Sequence, residues 1–404
     1  MIGPPIEHGW LRIERGLITA LGRGHPPGQQ AERVELGDAI LLPGLVNAHT
    51  HLEFSALASP MDPAGGLPGW IKRVVAARQQ RHGSDETGSA IRRGLAESAA
   101  AGVTAIGEIA TAVPSHAYDG PGPAVRVFRE GLGLRADAVR SLSRLVAADL
   151  DRMARSGLAA GVSPHAPYSV HAALGQRLMG EAIGRGLPVA MHLCESREEE
   201  ELLTSRSGPF RQLLEDLGAW ETTCPPVLLP SAEWISRLAR ARRGIVVHAT
   251  HIGRDPVALA RLARHRDRLA VVVCPRTTGL ISNLPPPVPL LMSAGIRVAI
   301  GTDSRASNPD LSILAECCTL VEAGLGGPED ALRMATVHGA WALARERHSG
   351  CLAVGRPADL AILRPTGPAA DPWAAALDPA TRVAATVRCG RLIAGTIPPP
   401  DGVD

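Results

Sequence analysis

Lysine is nearly missing from this chain. Of 42 basic residues only Lys72 is a lysine, and with abundant Ala, Gly and Pro this arginine bias reads as a trait of genome composition rather than of function. An excess of charge of one sign is lacking too. A net charge of +2 leaves no electrostatic footprint for nucleic acid or an acidic membrane surface. No apolar run approaches the roughly 18 residues of a spanning helix. The first residues show neither a charged n-region nor an apolar h-region. The expectation is a soluble, cytoplasmic protein without nucleic acid or membrane among its partners. The seven cysteines are odd in number and include no C-x-x-C. Free thiols in a reducing compartment are therefore expected instead of a disulfide framework. The same absence excludes the H-x-E, P-C-x-x-C type of zinc site. No G-x-G-x-x-G follows the first apolar strand, which removes the phosphate loop of an open doubly wound sheet.

What is present centres on Leu41 to Glu53, LLPGLVNAHTHLE. Residues two apart on an extended chain point the same way, so His49 and His51 converge just past a strand. Two neutral imidazoles held together are part of a site for a divalent transition metal. The same arrangement recurs along the chain. His192 ends the apolar run Pro188 to His192, His248 ends Gly244 to His248, and Asp303 closes Arg297 to Asp303. Each stands at the C-terminal end of a buried strand with a helical pattern following, which is where a (β/α)8 barrel keeps its chemistry. Strand patterns at Val103 to Glu108, Ala124 to Glu130, Leu158 to Ser163 and Leu269 to Cys274 bring the count to eight. Two further helices follow the last strand. A length of 404 residues with 45% apolar content accommodates a barrel of roughly 250 residues and leaves well over a hundred for other structure.

Five motifs in order, PGLVNAHTH, SPHAPYSVH (Ser163 to His171), HLCES (His192 to Ser196), VVHATHI (Val246 to Ile252) and GTDSRASN (Gly301 to Asn308), carry a resemblance. The chain resembles the amidohydrolase superfamily, in its branch of aminohydrolases acting on nucleobases, nucleosides and triazines. The likeness runs nearly end to end. It implies a TIM barrel over residues 43–349 and a small β-sandwich built from residues 1–42 and 350–404. The short alternating segments Gly9 to Glu14, Leu17 to Leu21, Ala31 to Leu36 and Val383 to Ile393 have a matching β texture. Relatives usually carry another strand before the segment that begins here at Gly3, so either the sandwich is trimmed or the start lies upstream.

The resemblance also implies roles. His49, His51, His192 and Asp303 offer three nitrogens and an oxygen to one divalent metal, with zinc the first expectation and iron or manganese the alternatives. Many relatives hold a second metal through a carboxylated lysine on the fourth strand; Leu158 to Ser163 has no lysine, so a mononuclear site is expected. Asp303 is expected both to bind metal and to take a proton from the attacking water. Glu195, in H-x-x-E with His192, is similar to the carboxyl group that protonates a ring nitrogen beside the amine-bearing carbon. A plainer reading makes it one of the helix-start charges of the run Glu195 to Glu201. His248 is expected beside the metal, with His251 as its rival, and His165 is expected to touch substrate.

The implied reaction is hydrolytic deamination of a small-molecule heterocycle. NAHTHLEFS, the following Trp-Ile-x-x-Val-x-x-Ala-Arg helix, SPHAPYSVH and Ser207-Gly-Pro-Phe most resemble the aminodeoxyfutalosine deaminases of menaquinone synthesis, which act on the adenine of a modified nucleoside. One departure is Pro275-Arg-Thr-Thr-Gly, where nucleoside deaminases usually carry Pro-x-Ser-Asn. A guanine or triazine aminohydrolase, a cyclic-amide hydrolase and a non-catalytic barrel scaffold are the alternatives. Oligomeric state is left open.

Overall fold

The computed structural model describes residues 3–27, 32–80, 84–114, 116–220, 225–367 and 371–398. Its centre is a sheet of eight strands in sequence order: β4 Leu45–Thr50, β5 Val103–Ala110, β6 Ala124–Gly131, β7 Ala159–Pro164, β8 Val189–Leu193, β9 Gly244–His248, β10 Leu269–Val273 and β11 Arg297–Ile300. All paired neighbours run parallel, and helices connect successive strands except β5 and β6, whose described connecting residues form no helix. This is the (β/α)8 barrel that the strand-end pattern predicts. Every residue of β4, β5, β8, β9 and β10 is buried, as expected of strands covered on one face by helices and packed inside the barrel on the other.

The seam between the first and last barrel strands is closed by backbone and side-chain hydrogen bonds together. Thr302 and Asp303 donate backbone N–H bonds to His49 O, each 3.1 Å. Asn47 Nδ2 donates to Thr302 Oγ1 at 2.8 Å, while Thr302 N–H donates to Asn47 Oδ1 at 3.2 Å. Thr50 Oγ1 donates to Asp303 O at 2.6 Å. Gly301 is needed here because a Cβ would lie 2.6 Å from His49 O and 2.9 Å from His49 N. Asn47 is fully buried. Asn47→Ala is expected to destabilise the fold by about 1–3 kcal/mol, since it removes two buried hydrogen bonds to Thr302 across the seam; thermal or denaturant unfolding measures this.

Both termini contribute to a second sheet. β12 Leu360–Arg364, β13 Arg382–Arg388 and β14 Arg391–Gly395 join β3 Ile40–Pro43 in the antiparallel order β14-β13-β12-β3. A hairpin of β1 Gly9–Glu14 and β2 Leu17–Arg23 contributes Leu11 to the apolar cluster of Leu360, Ile362, Ala385 and Val387. The expected strand at Ala31 to Leu36 does not form over its described part. Residues 32–36 are irregular, and the alternation of half-buried Val34 and Leu36 with exposed neighbours comes from one-sided packing without a ladder. Ala31 lies outside the described residues. Gly44 carries the chain from β3 directly into β4, at a point where a Cβ would collide with Thr104.

Candidate active site

The four proposed ligand residues and His248 converge at the C-terminal mouth of the barrel. Oδ1 of Asp303 lies 3.6 Å from Nε2 of His49 and 3.6 Å from Nε2 of His51. Nε2 of His51 faces Nε2 of His192 at 3.3 Å. The ring of His49 sits edge-on to those of His51, His192 and His248, with centroids 5.0, 4.9 and 5.7 Å away. Local backbone makes this possible: Cys194, His248, Ala249 and Asp303 all have φ between 53 and 68°, in the left-handed region. Such strain at strand ends turns the chain abruptly and aims side chains at the barrel axis.

Several observations fit a divalent metal in this set. Both ring nitrogens of His49 are buried without a hydrogen-bond partner. Nδ1 of His192 donates to the carbonyl of His165 at 3.0 Å, which fixes its tautomer and leaves the Nε2 lone pair facing the site. Burial pushes the His49 pKa down to about 3 and those of His51, His192 and His248 well below the usual imidazole range. These rings are therefore neutral, the form in which imidazole donates to a metal. Ligand atoms of His49, His51 and Asp303 lie within 4.8 Å of one another, as do those of His49, His192 and His248. Lys72 is far from this chemistry, its Nζ 3.1 Å from Asp216 on the exposed surface.

The acidic run after β8 divides by position. Glu195 and Glu199 are buried, Glu198 and Glu200 half-buried, and Glu201 exposed. Glu195 Oε1 lies 3.4 Å from Nε2 of His248, and burial, with smaller contributions from Asp303 and Glu199, raises its pKa well above the usual carboxyl range. Glu199 holds that peptide in place, accepting N–H bonds from Cys194 at 3.0 Å and Glu195 at 2.9 Å. Ser196 caps the helix Arg197–Ser205 that carries Glu199. The reading of the run as a helix-start feature thus describes Glu198 to Glu200, in the first turn, and not Glu195.

His248 is in the cluster; His251 is half-buried outside it, near Arg197 and Arg254. His165 lies beside it, with its ring centroid 4.9 Å from that of His192, its Nδ1 2.5 Å from Ser169 Oγ and its Nε2 3.9 Å from Glu130 Oε1. Phe210, from the excursion between β8 and β9, stacks on Tyr168 at 4.2 Å. With Leu67, Leu134, Leu202, Leu213 and Trp220 it forms an apolar cluster with the loop that carries His165.

Other residues near these side chains escape a reading of the sequence. Glu108 and Glu130 stand near the C-terminal ends of β5 and β6 as buried carboxyls, each with Oε1 unpartnered, and burial raises the Glu130 pKa to about 7. Glu53 is held by Arg78 at 2.8 Å and by Thr111 at 3.1 Å. Ser307 donates to Asp303 Oδ2 at 2.7 Å, and Thr277 donates to Ser307 at 2.9 Å. A strand-end position was the available signal for Glu108 and Glu130; no spacing marks the others.

The model of the amidohydrolase family matches residues 40–393. The chain belongs to the amidohydrolase family. It is accordingly a hydrolase acting on C–N bonds. Among its relatives, a 5-methylthioadenosine/S-adenosylhomocysteine deaminase from Moorella thermoacetica is 29% identical over 386 residues, covering 89% of this chain and 82% of that protein. An aminodeoxyfutalosine deaminase from Deinococcus radiodurans is 28% identical over 324 residues, covering 74% and 72%. The crystal structure of Helicobacter pylori aminofutalosine deaminase with methylthio-coformycin superposes with a TM-score of 0.81 at 23% identity, covering 96% of each chain. This amidohydrolase shares that barrel and terminal-sheet architecture. Among the described residues no helix is long and apolar enough to cross a membrane.

Proposed function

We propose that the chain is a metal-dependent hydrolytic deaminase of adenine-bearing nucleosides, with 6-aminodeoxyfutalosine as its preferred substrate. The observation that carries the deaminase reading is Glu195. A buried carboxyl whose pKa burial raises above the usual carboxyl range, 3.4 Å from His248 and two residues past the strand that carries His192, is placed to deliver a proton into the cluster. In hydrolysis of a cyclic amide the ring nitrogen takes its proton only as it leaves, whereas an aromatic amidine needs its ring nitrogen protonated as the nucleophile adds, a task that calls for a donor already in place.

His49, His51, His192 and Asp303 would hold a single divalent cation, and the nitrogen-rich donor set favours zinc. When bound, such a cation makes water ionise near neutral pH and so supplies hydroxide as nucleophile. Asp303 accepts the proton released by the attacking water. Glu195 protonates the ring nitrogen next to the amine-bearing carbon, making that carbon electrophilic. His248 is placed to donate to the oxygen as it adds and to stabilise the charge developing there. Asp303 passes the proton it took from water to the exocyclic nitrogen, which leaves as ammonia, and the proton of the added hydroxyl returns to Glu195, so one water is consumed and one ammonia released per turnover.

Substrate choice rests on the likeness of NAHTHLEFS and SPHAPYSVH to aminodeoxyfutalosine deaminases, and on the Deinococcus relative of that name. The Moorella relative supports a second reading, 5-methylthioadenosine or S-adenosylhomocysteine, with the same residues in the same roles. Steady-state kinetics across 6-aminodeoxyfutalosine, these two nucleosides, guanine, a triazine and a dihydropyrimidine separates the readings. The highest kcat/KM is expected for 6-aminodeoxyfutalosine. Dihydropyrimidine hydrolysis with no ammonia from any purine would overturn the deaminase assignment.

A further inference from the structure

We infer that Thr277 and Ser307 form a hydrogen-bond relay that orients Asp303 and sets the affinity of the site for its divalent cation, making both positioning residues. The inference rests on the reading of Asp303 as a ligand. Thr277, Ser307 and Asp303 are all buried, so each polar group must find its partner within the protein. A serine hydroxyl has one proton. That of Ser307 goes to Asp303 Oδ2, the shorter contact at 2.7 Å, in preference to Ser304 O at 3.3 Å. Its lone pair then receives the proton of Thr277 at 2.9 Å. The polarity of the chain is thereby fixed as Thr277 to Ser307 to Asp303. Oδ2 is held by this relay while Oδ1 stays directed between Nε2 of His49 and Nε2 of His51.

The two loops that meet in this relay are tied at further points, so Thr277 is not a mobile donor. Arg276 makes a paired contact with Asp310, at 2.7 and 3.1 Å, and its backbone N–H donates to Glu316 Oε2 at 2.9 Å. The other oxygen of Glu316 accepts from Asn308 Nδ2. The first turn of the helix Pro275–Ser282 and residues 303–310 are thus cross-linked side by side. A threonine in that turn has its χ1 restricted to two rotamers, and the one adopted here places its hydroxyl 2.9 Å from Ser307 Oγ. The departure from Pro-x-Ser-Asn at this loop therefore retains a hydroxyl at residue 277 and gives it a stiffer mount. The loop after β10 acts on the site through the orientation of Asp303.

The test is zinc affinity of the metal-free protein, measured by competition with a chromophoric chelator, with the melting temperature of the metal-free form as a control for folding. Outer-shell partners of metal ligands typically contribute 10- to 100-fold in affinity. Ser307→Ala is expected to weaken zinc binding by about 10- to 100-fold. Thr277→Val, which keeps shape and removes the donor, should give a smaller loss in the same direction, and Thr277→Ser should restore most of it. The decisive comparison is Thr277→Val in the Ser307→Ala background, where a relay predicts no added loss. An equal loss in both backgrounds, or wild-type affinity in Ser307→Ala, overturns the relay. Asp303→Asn is the reference: wild-type affinity there would overturn the reading of Asp303 as a ligand, whereas loss there with intact Ser307→Ala affinity would overturn the relay alone.

Discussion

Glu195→Gln is expected to lower kcat for deamination by about 10²- to 10⁴-fold while zinc stays bound, the range typical of a general acid–base group. Glutamine preserves size and keeps a donor and an acceptor, but it cannot surrender a proton to a ring nitrogen. The geometry separates this residue from the metal set. Glu195 faces His248, whereas Asp303 Oδ1 approaches His49 and His51. Glu199 still bonds the Glu195 and Cys194 peptides in the variant, so the loop keeps its shape. Metal analysis alongside steady-state ammonia release checks both halves. Near-normal turnover with metal bound would remove the strongest support for deaminase chemistry.

His192→Ala should behave differently, with metal and activity lost together. Its Nε2 is 3.3 Å from that of His51, and its tautomer is set by the carbonyl of His165, so the substitution removes one of the three imidazole lone pairs of the proposed ligand set. Dialysis against a weak chelator followed by metal analysis is expected to leave the variant metal-free and catalytically silent while the parent retains its metal. Rescue by added imidazole would attribute the loss to the missing ligand and not to misfolding.

The barrel was legible because its signals are local. An apolar run long enough for one strand, followed by a polar residue at the mouth and then a helical pattern, repeats around the molecule, and His49, His192, His248 and Asp303 all end up where that pattern puts them. The choice between His248 and His251 is less local. It depends on the left-handed turn at His248 and Ala249, which sends one imidazole inward and leaves the other beside surface arginines. Alternation misled at residues 32–36, because it reports which side of a segment is covered and not whether another strand is there to pair with. Glu199 was hidden inside a run of like residues, and only the helical turn from Ser196 onward selects which acid is buried. Thr277 and Ser307 are 30 residues apart and meet only because β10 and β11 are neighbours. No sequence period encodes such a contact.

The central claim is deamination at a single metal, and titration of the metal-free protein with zinc under a continuous ammonia assay with an adenine nucleoside tests it most directly. Activity should rise linearly to a plateau at about one zinc per chain, as the single set of His49, His51, His192 and Asp303 requires, with one ammonia released for each nucleoside consumed. A plateau at about two zinc ions per chain, or nucleoside consumption without ammonia, would contradict the account.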